Sequence, residues 1–343
     1  MFSTKEARSY RSFVSVIIVI EILMSFFLDL LGGRASLFRR SACNFFMAIP
    51  VIANPAANST RAHAEIERIK NLNPSPELHL TEGIGSARAI AWELASAGHP
   101  IIVAAGGDGT VNEVINGLAQ YRLEHPDEAS YPTLGILPVG TMNVMACELG
   151  LPARKLESSW EIIHSGNTCV IDLWQANHQF FAQLAGVGFD AEVVQQTTWE
   201  LKRRYGPLSY AISAAQVLTQ EATMLAVEIE NRPPLYGPIV LIGNGKHYGG
   251  PVPVFRDASN TDGLLDVLIF HGRGPLEMMQ LVQAIATNDY TGCGDVDYLQ
   301  VPSLRVTSPV PVPFQLDGEL GASTPVDFKL APFRLRVLCP AAE

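Results

Sequence analysis

The chain has 343 residues, of which 48% are hydrophobic and 17% are charged, and its net charge is −10. This length allows two domains with separate cores, and the composition excludes an intrinsically disordered protein. Because nucleic-acid binding depends on clustered Lys and Arg, the acidic balance argues against a nucleic-acid partner. The five cysteines are scattered without a CxxC pair, so their spacing supports neither a zinc site nor a redox site.

An apolar stretch, residues 13–31, dominates the N-terminal region. It is about as long as a helix needs to be to cross a bilayer, but Glu21 and Asp29 interrupt it. Basic residues flank it on both sides and do not orient it. Residues 1–46 therefore have three interpretations: an extension upstream of a true start at Met47, a membrane anchor, or a helix in the membrane interface.

From Ile49 onward, short apolar strands alternate with segments of helical periodicity. This alternation predicts an α/β layer, and the fully apolar strand at Ile101–Ala105 is of the kind buried on both faces of a parallel sheet. The predicted strands are 50–55, 78–83, Ile101–Ala105 and Thr133–Pro138, and the predicted helices are Thr60–Leu72, Ala87–Gly98 and Val111–Gln120.

Beyond about residue 167 the pattern changes to β-segments separated by turns, which predicts a mostly β domain over 167–343 after an α/β domain over 47–166. The closing segment 332–340 could return to either domain. The predicted β-segments are 169–193, 224–230, 237–245, 263–272 and 302–318, and two helices, Trp199–Leu218 and Leu276–Thr287, interrupt them.

A glycine-rich turn, GGDGT at 106–110, joins a buried strand to the next helix. Without Cβ atoms in the way, its backbone N–H groups can approach a phosphate at the helix N-terminus. The turn is neither a Walker loop nor a dinucleotide fingerprint, and a tight connection without a ligand is the alternative. Thr110 and Glu113 also match a capping box, which gives Glu113 a structural interpretation beside a functional one.

Two segments, GGDGTVNEVINGL (106–118) and LGILPVGTMNVMACELGLP (134–152), resemble the catalytic core of the diacylglycerol kinase and sphingosine kinase superfamily. The resemblance is closest to its bacterial soluble lipid kinases and extends over about residues 48–335. It implies an N-terminal α/β NAD-kinase-like nucleotide-binding domain, a C-terminal β-sandwich domain and an active site in the cleft between them. Further matches in chain order are NP (54–55), TE (81–82), KRRYGPLSY (202–210), GNGKHYGG (243–250), TDGLLDV (261–267) and QLDGE (315–319).

The resemblance also implies roles for individual residues, with ATP and Mg²⁺ as cofactors. Asp317 would be the general base, and Asp108 and Glu319 would complete the catalytic set. Asp262 resembles an aspartate of a structural metal site, although Thr261 stands where a second acid usually precedes the glycine. The nucleotide-binding residues would be Asn54, Thr81, Gly106, Gly107, Asp108, Gly109, Thr110, Glu113, Gly140, Thr141 and Asn143.

The function implied is that of an ATP-dependent lipid kinase, which transfers the γ-phosphate to diacylglycerol or a related lipid alcohol. Such a protein is expected to be cytoplasmic and to meet its lipid at the inner face of the membrane. An NAD kinase is one alternative, but Asn112 and the Gly-Thr-x-Asn of 140–143 fit the lipid kinases better. A non-catalytic nucleotide or lipid sensor is the other, and the presence of both Asp108 and Asp317 argues against it. The sequence specifies neither the lipid nor the oligomeric state.

Overall fold

The computed structural model describes residues 48–55, 62–128, 130–153, 155–206, 208–217, 222–272 and 296–341, with single helical positions between 277 and 287. The predicted segment 13–31 and most of the predicted helix Leu276–Thr287 lie outside the described residues. Within the part of the chain that is described, no helix is both long enough and apolar enough to cross a membrane. Residues Ile49–Glu343 pack as one unit.

The first sheet is the predicted α/β layer, with strand order β2-β1-β3-β4-β18-β5. Its neighbouring strands are parallel, apart from the antiparallel pair formed by the two last strands in that order. The strands are β1 (Pro50–Ala53), β2 (Glu77–Leu80), β3 (Ile101–Gly106), β4 (Thr133–Pro138), β5 (Thr168–Ile171) and β18 (Leu335–Leu338). The helices of this half are α1 (Ala62–Lys70), α2 (Ser86–Ser96), α3 (Asp108–Glu124), α4 (Val144–Glu148) and α5 (Leu156–Ser165).

Helices cover both faces of this sheet, because successive side chains of a strand point to opposite faces. In β3, Ile102 belongs to a core shared with α2 and α3. Its neighbour Val103 belongs to a second core, which Ile69 of α1 and Trp160 of α5 complete. The unbroken apolar run of β3 is therefore explained by burial on both sides.

The second half of the chain forms a sandwich of two antiparallel sheets around one core, as predicted for a mostly β domain. Their strand orders are β10-β9-β14-β17-β6-β7 and β13-β12-β11-β8-β15-β16. Large side chains from both sheets, such as Trp174, Phe314 and Phe328, fill the space between them. The strands are β6 (Trp174–Ala176), β7 (Gln179–Phe181), β8 (Leu184–Gly188), β9 (Leu225–Glu228), β10 (Leu235–Gly237), β11 (Ile239–Gly243), β12 (Leu265–Phe270), β13 (Val296–Val301), β14 (Ser303–Thr307), β15 (Pro313–Leu316), β16 (Glu319–Ser323) and β17 (Val326–Leu330).

Three helices follow β8, where the sequence predicted one. They are α6 (Phe189–Gln196), α7 (Trp199–Tyr205) and α8 (Leu208–Val217). The predicted β-segment 169–193 is wrong at its end, since the chain turns into α6 directly after Gly188, whose φ is +86°. The predicted helix Trp199–Leu218 is interrupted at Gly206, which has φ +56° and therefore cannot continue a right-handed helix.

The C-terminal segment returns to the first sheet. There β18 lies between β4, with which it is parallel, and β5, with which it is antiparallel. The chain therefore leaves the first sheet after Ile171 rather than at residue 167, makes the sandwich, and comes back at Leu335.

Candidate active site

A cavity of about 890 Å³ lies where the carboxyl ends of the first-sheet strands meet the sandwich. This edge of a parallel sheet is where α/β proteins bind ligands, and the volume is large enough for a nucleotide and part of a second substrate. Most of the predicted site residues line it, whereas Gly106, Gly140, Asn143 and Asp262 do not. Those that line it are Asn54, Thr81, Gly107, Asp108, Gly109, Thr110, Glu113, Thr141, Asp317 and Glu319.

The glycine turn opens α3 earlier than predicted, at Asp108 instead of Val111. Gly107 is the N-cap in an extended conformation and makes no side-chain capping bond. The amides of the first helical turn have no partner inside the helix, and the positive end of the helix dipole lies at the same place. Because residues 107–110 line the cavity, these amides are available to a phosphate.

Two glycine-containing loops meet at the back of this turn. A Cβ on Gly140 would lie 2.2 Å from the Cα of Gly107, so only glycine allows the two backbones to approach this closely. Asn143 closes its own loop: its Oδ1 accepts from the Gly140 amide at 3.0 Å, and its Nδ2 donates to the Gly140 carbonyl at 3.0 Å. Gly140 and Asn143 therefore shape the wall of the cavity from behind.

Glu113 does not form the predicted capping box with Thr110. Its carboxylate crosses to the start of α2, where Oε1 accepts from the Gly85 amide at 2.8 Å and Oε2 from the Ala87 amide at 3.0 Å. The Thr-x-x-Glu pattern fails because the helix begins at Asp108, which places Thr110 inside its first turn. Glu113 instead fixes the 81–85 loop, which forms one side of the cavity.

Asp108 connects the glycine turn to α4. Its Oδ1 accepts from the Val144 amide at 2.7 Å. Burial raises the pKa of Asp108 to about 6; the backbone amides oppose this shift, and the nearby charge of Asp317 adds to it. Asp108 and Asp317 also border one small cavity, so the two predicted catalytic carboxylates are neighbours.

Asp317 is held in the turn between β15 and β16 with φ +50°. Its Oδ1 accepts from the amides of Gln183 and Leu184 at 3.0 and 2.9 Å. Its Oδ2 accepts from the Ala182 amide at 3.0 Å and from Nδ2 of Asn112 at 2.9 Å. Burial raises the pKa of Asp317, and these hydrogen bonds oppose the rise.

Two asparagines of α3, which the sequence analysis did not assign to the site, join the first sheet to the sandwich. Asn116 pairs with the backbone of Phe180 in β7, accepting from its amide and donating to its carbonyl, both at 2.9 Å. Asn112 donates to the same carbonyl at 3.1 Å and to Asp317. Their spacing of four residues, which places both on one helix face, is the signal that could have identified them.

Glu319 lies directly against the glycine turn. A Cβ on Gly109 would come within 2.2 Å of Oε1 of Glu319, so a larger residue at 109 would displace that carboxylate. Glu319 and Asp108 thus both line the cavity beside the glycine turn. Carboxylate oxygens are the ligands that Mg²⁺ prefers, and it is often held by one or two of them together with substrate phosphates.

Across the described residues, no group of three or more His, Cys, Asp or Glu side chains is arranged to hold a metal ion without such a substrate. Asp262 uses its Oδ1 to accept from the Leu264 amide at 2.9 Å, within its own turn. Its assignment to a structural metal site stays a prediction.

The opposite wall of the cavity comes from the sandwich and from α6 and α8. Its apolar residues include Phe189, Val193 and Ala214, and polar side chains such as Asp190 and Gln315 lie beside them. The lining thus combines the polar groups of the glycine turn with apolar side chains from these helices, as expected for a site that accepts both a nucleotide and a lipid.

The chain matches the family models of the diacylglycerol kinase catalytic domain over residues 48–176 and of the YegS C-terminal NAD kinase beta sandwich-like domain over 184–339. It is 29% identical over 278 residues to a "Diacylglycerol kinase" of Bacillus subtilis, and this alignment covers 80% of this chain and 89% of the relative. It is 30% identical over 274 residues to a "Probable lipid kinase YegS-like" of Chromohalobacter salexigens, and this alignment covers 78% of this chain and 85% of that relative.

Solved structures share the fold. The structure of a diacylglycerol kinase from Bacillus anthracis str. Sterne has a TM-score of 0.64 at 21% identity and covers 86% of this chain and 97% of its own. A second structure from the same organism has a TM-score of 0.70 at 24% identity, with coverages of 86% and 95%. The family models and the sequence relatives confirm the predicted resemblance and favour a lipid kinase over the NAD-kinase alternative. The chain belongs to the diacylglycerol kinase catalytic-domain family and is a lipid kinase.

Proposed function

We propose that this lipid kinase transfers the γ-phosphate of ATP to the hydroxyl of diacylglycerol or of a closely related lipid alcohol. The observation that supports this most is the 2.9 Å hydrogen bond from Asn112 to Asp317, residues that are 205 positions apart. It brings the phosphate-binding turn and the Leu-Asp-Gly-Glu motif into one cavity. The diacylglycerol kinases among the relatives support the choice of acceptor.

In this proposal, the nucleotide phosphates bind at the first-turn amides of α3, with Thr81 and Thr141 on either side. Phosphoryl transfer needs little covalent chemistry from the protein, so positioning and charge neutralisation account for most of the catalysis. The fixed loops described above provide that positioning. Asp108 and Glu319 would hold Mg²⁺ together with the phosphates, and the ion would offset the negative charge that builds up on them.

Asp317 is the proton acceptor for the lipid hydroxyl. Because burial raises its pKa, it is a stronger base than an exposed aspartate. All four of its hydrogen bonds come from neighbouring groups, so the hydroxyl has to replace one donor. Three of these donors are backbone amides, and the fourth is the side chain of Asn112, which can rotate away.

The lipid would reach the site from the membrane surface, with the protein bound peripherally to the inner face. Large apolar side chains that are exposed beside the cavity support this contact with the membrane. Ile84 is fully exposed and also lines the cavity, and Leu208 is 60% exposed close to Gly206, another lining residue. Exposed apolar residues at the entrance of a lipid site are suited to insertion among lipid head groups.

The test is a radiolabelled-ATP assay of the full chain with diacylglycerol and with a total lipid extract, in which the product is identified by mass. Asp317→Asn should lower kcat by at least about 100-fold, the usual contribution of general-base catalysis, and change ATP affinity by less than about threefold. Retained ATP binding shows that the variant is folded. Turnover by Asp317→Asn at the wild-type rate would refute the role of Asp317, and absence of any phosphorylated lipid would refute the proposed function.

A further inference from the structure

Beside the predicted phosphate site, a further carboxylate, that of Asp190, reaches into the cavity from the first turn of α6. Oδ2 of Asp190 accepts from the Tyr248 hydroxyl at 2.7 Å and from Nε2 of Gln315 at 2.9 Å. The Gln315 Nε2 also donates to the Tyr248 hydroxyl oxygen at 2.9 Å, which closes a triangle of three side chains. All three residues line the cavity.

This triangle is connected to the turn that carries the proposed base. Oε1 of Gln315 accepts from the Gly318 amide at 2.8 Å, and Gly318 directly follows Asp317. The chain of contacts from Asp190 to Asp317 therefore runs through one side chain and one backbone amide. One lipid head group would therefore contact both carboxylates: its reacting hydroxyl would meet Asp317, and a neighbouring polar group would meet Asp190.

Burying the Asp190 carboxylate costs free energy that a residue with a purely structural role would not need to cost. Its surroundings include the apolar residues Phe189 and Val193, and burial raises its pKa. Its hydrogen bonds from Tyr248 and Gln315 both go to Oδ2, and among the described residues none is found to Oδ1. An uncharged amide oxygen would hold Tyr248 and Gln315 equally well and would not require a buried charge. The second oxygen is therefore left for a ligand.

We propose that Asp190 binds a second hydrogen-bond donor on the lipid head, a hydroxyl or ammonium group near the hydroxyl that is phosphorylated. This inference rests on the proposed function and narrows its substrate class. Diacylglycerol, whose single free hydroxyl is the reacting one, is then a weaker acceptor than a lipid whose head carries a further donor. Tyr248 and Gln315 orient the Asp190 carboxylate for this contact.

The test uses a matched pair of lipids, a 1-O-alkylglycerol and its 2-O-methyl ether, in which a methyl group replaces the hydrogen of the second donor. The wild type should prefer the diol by about 10- to 100-fold in kcat/KM, as expected for a hydrogen bond to a charged group. Asp190→Asn keeps an oxygen for Tyr248 and Gln315, and it should reduce this preference to about threefold or less with the KM for ATP unchanged.

Each result separates the alternatives. Equal rates of the wild type on both lipids would overturn the assignment of Asp190, without any variant being needed. If Asp190→Asn lowers kcat equally for both lipids, Asp190 only positions the Asp317 turn, and the inference is also overturned. If the wild type phosphorylates neither lipid, nor any lipid of a total extract, it is the proposed function that fails.

Discussion

Replacing Asp108 with Asn should make the nucleotide-free protein more stable above pH 6 and at the same time less active. The side chain is largely enclosed between the glycine turn and α4, and burial raises its pKa to about 6 from the ordinary value of 3.8. Asn has the same shape and can still accept from the Val144 amide through its oxygen. It carries no charge, so the unfavourable burial of an ionised group and its repulsion from Asp317 both disappear.

The size of the effect follows from the difference between the folded and unfolded pKa values. Because the folded value is the higher one, the stability that Asp108 contributes is fully present below pH 3.8 and is lost as the pH rises through 6. A difference of about two units corresponds to about 3 kcal/mol, which is an upper limit because the group is in part exposed to the cavity. Asp108→Asn avoids this loss.

Thermal unfolding of both proteins between pH 4 and pH 8 measures this directly. The midpoint of Asp108→Asn should rise relative to the wild type by up to about 6 °C across that range, at about 2 °C per kcal/mol for a chain of this size. Asp127→Asn, which removes an exposed carboxylate, is the matched control and should show no such trend. A constant difference between Asp108→Asn and the wild type from pH 4 to pH 8 would refute the reasoning.

Two further predictions concern the rim of the cavity. Glu113→Gln leaves one oxygen for two amides at the start of α2. It should therefore destabilise the protein by about 1 kcal/mol and raise the KM for ATP several-fold. An unchanged KM would mean that the 81–85 loop does not contact the nucleotide. Ile84→Asp combined with Leu208→Asp should weaken binding to phosphatidylglycerol vesicles by at least about tenfold in a flotation assay. Val310→Asp, an exposed position that does not line the cavity, is the control, and equal weakening by it would argue against a specific membrane face.

Local sequence patterns predicted the elements whose environment restricts the residue types allowed at each position. The apolar strand β3 and the glycine turn after it were recognisable because burial on two faces and close backbone approach each restrict the residues allowed. The helix α6 was missed because GVGFDAEVV combines β-branched residues with glycine and reads as a strand. The turn into that helix depends on the left-handed conformation of Gly188, which the pattern alone does not show.

The sequence could predict most of the residues that gather at the cavity, but not the contacts that they make there. Asp317 could be placed near the glycine turn through the family resemblance, whereas its hydrogen bond to Asn112 joins residues 205 positions apart and has no local signal. For Glu113 the sequence left open a cap on its own helix and a nucleotide-binding role; in the fold its carboxylate caps α2, because the same acceptor can serve either helix start. Such choices depend on tertiary packing, which a sequence window does not contain.

The return of β18 to the first sheet has a practical consequence for dissecting the molecule. The nucleotide-binding half is not contiguous in the chain, so the sandwich is a nested insertion between Ile171 and Leu335. A fragment cut at the sequence boundary near 167 would lack β5 and β18, leaving the backbone of β4 as an open edge that is prone to aggregation. An independently folding nucleotide-binding module would require excision of the insertion and a short linker that joins these two strands.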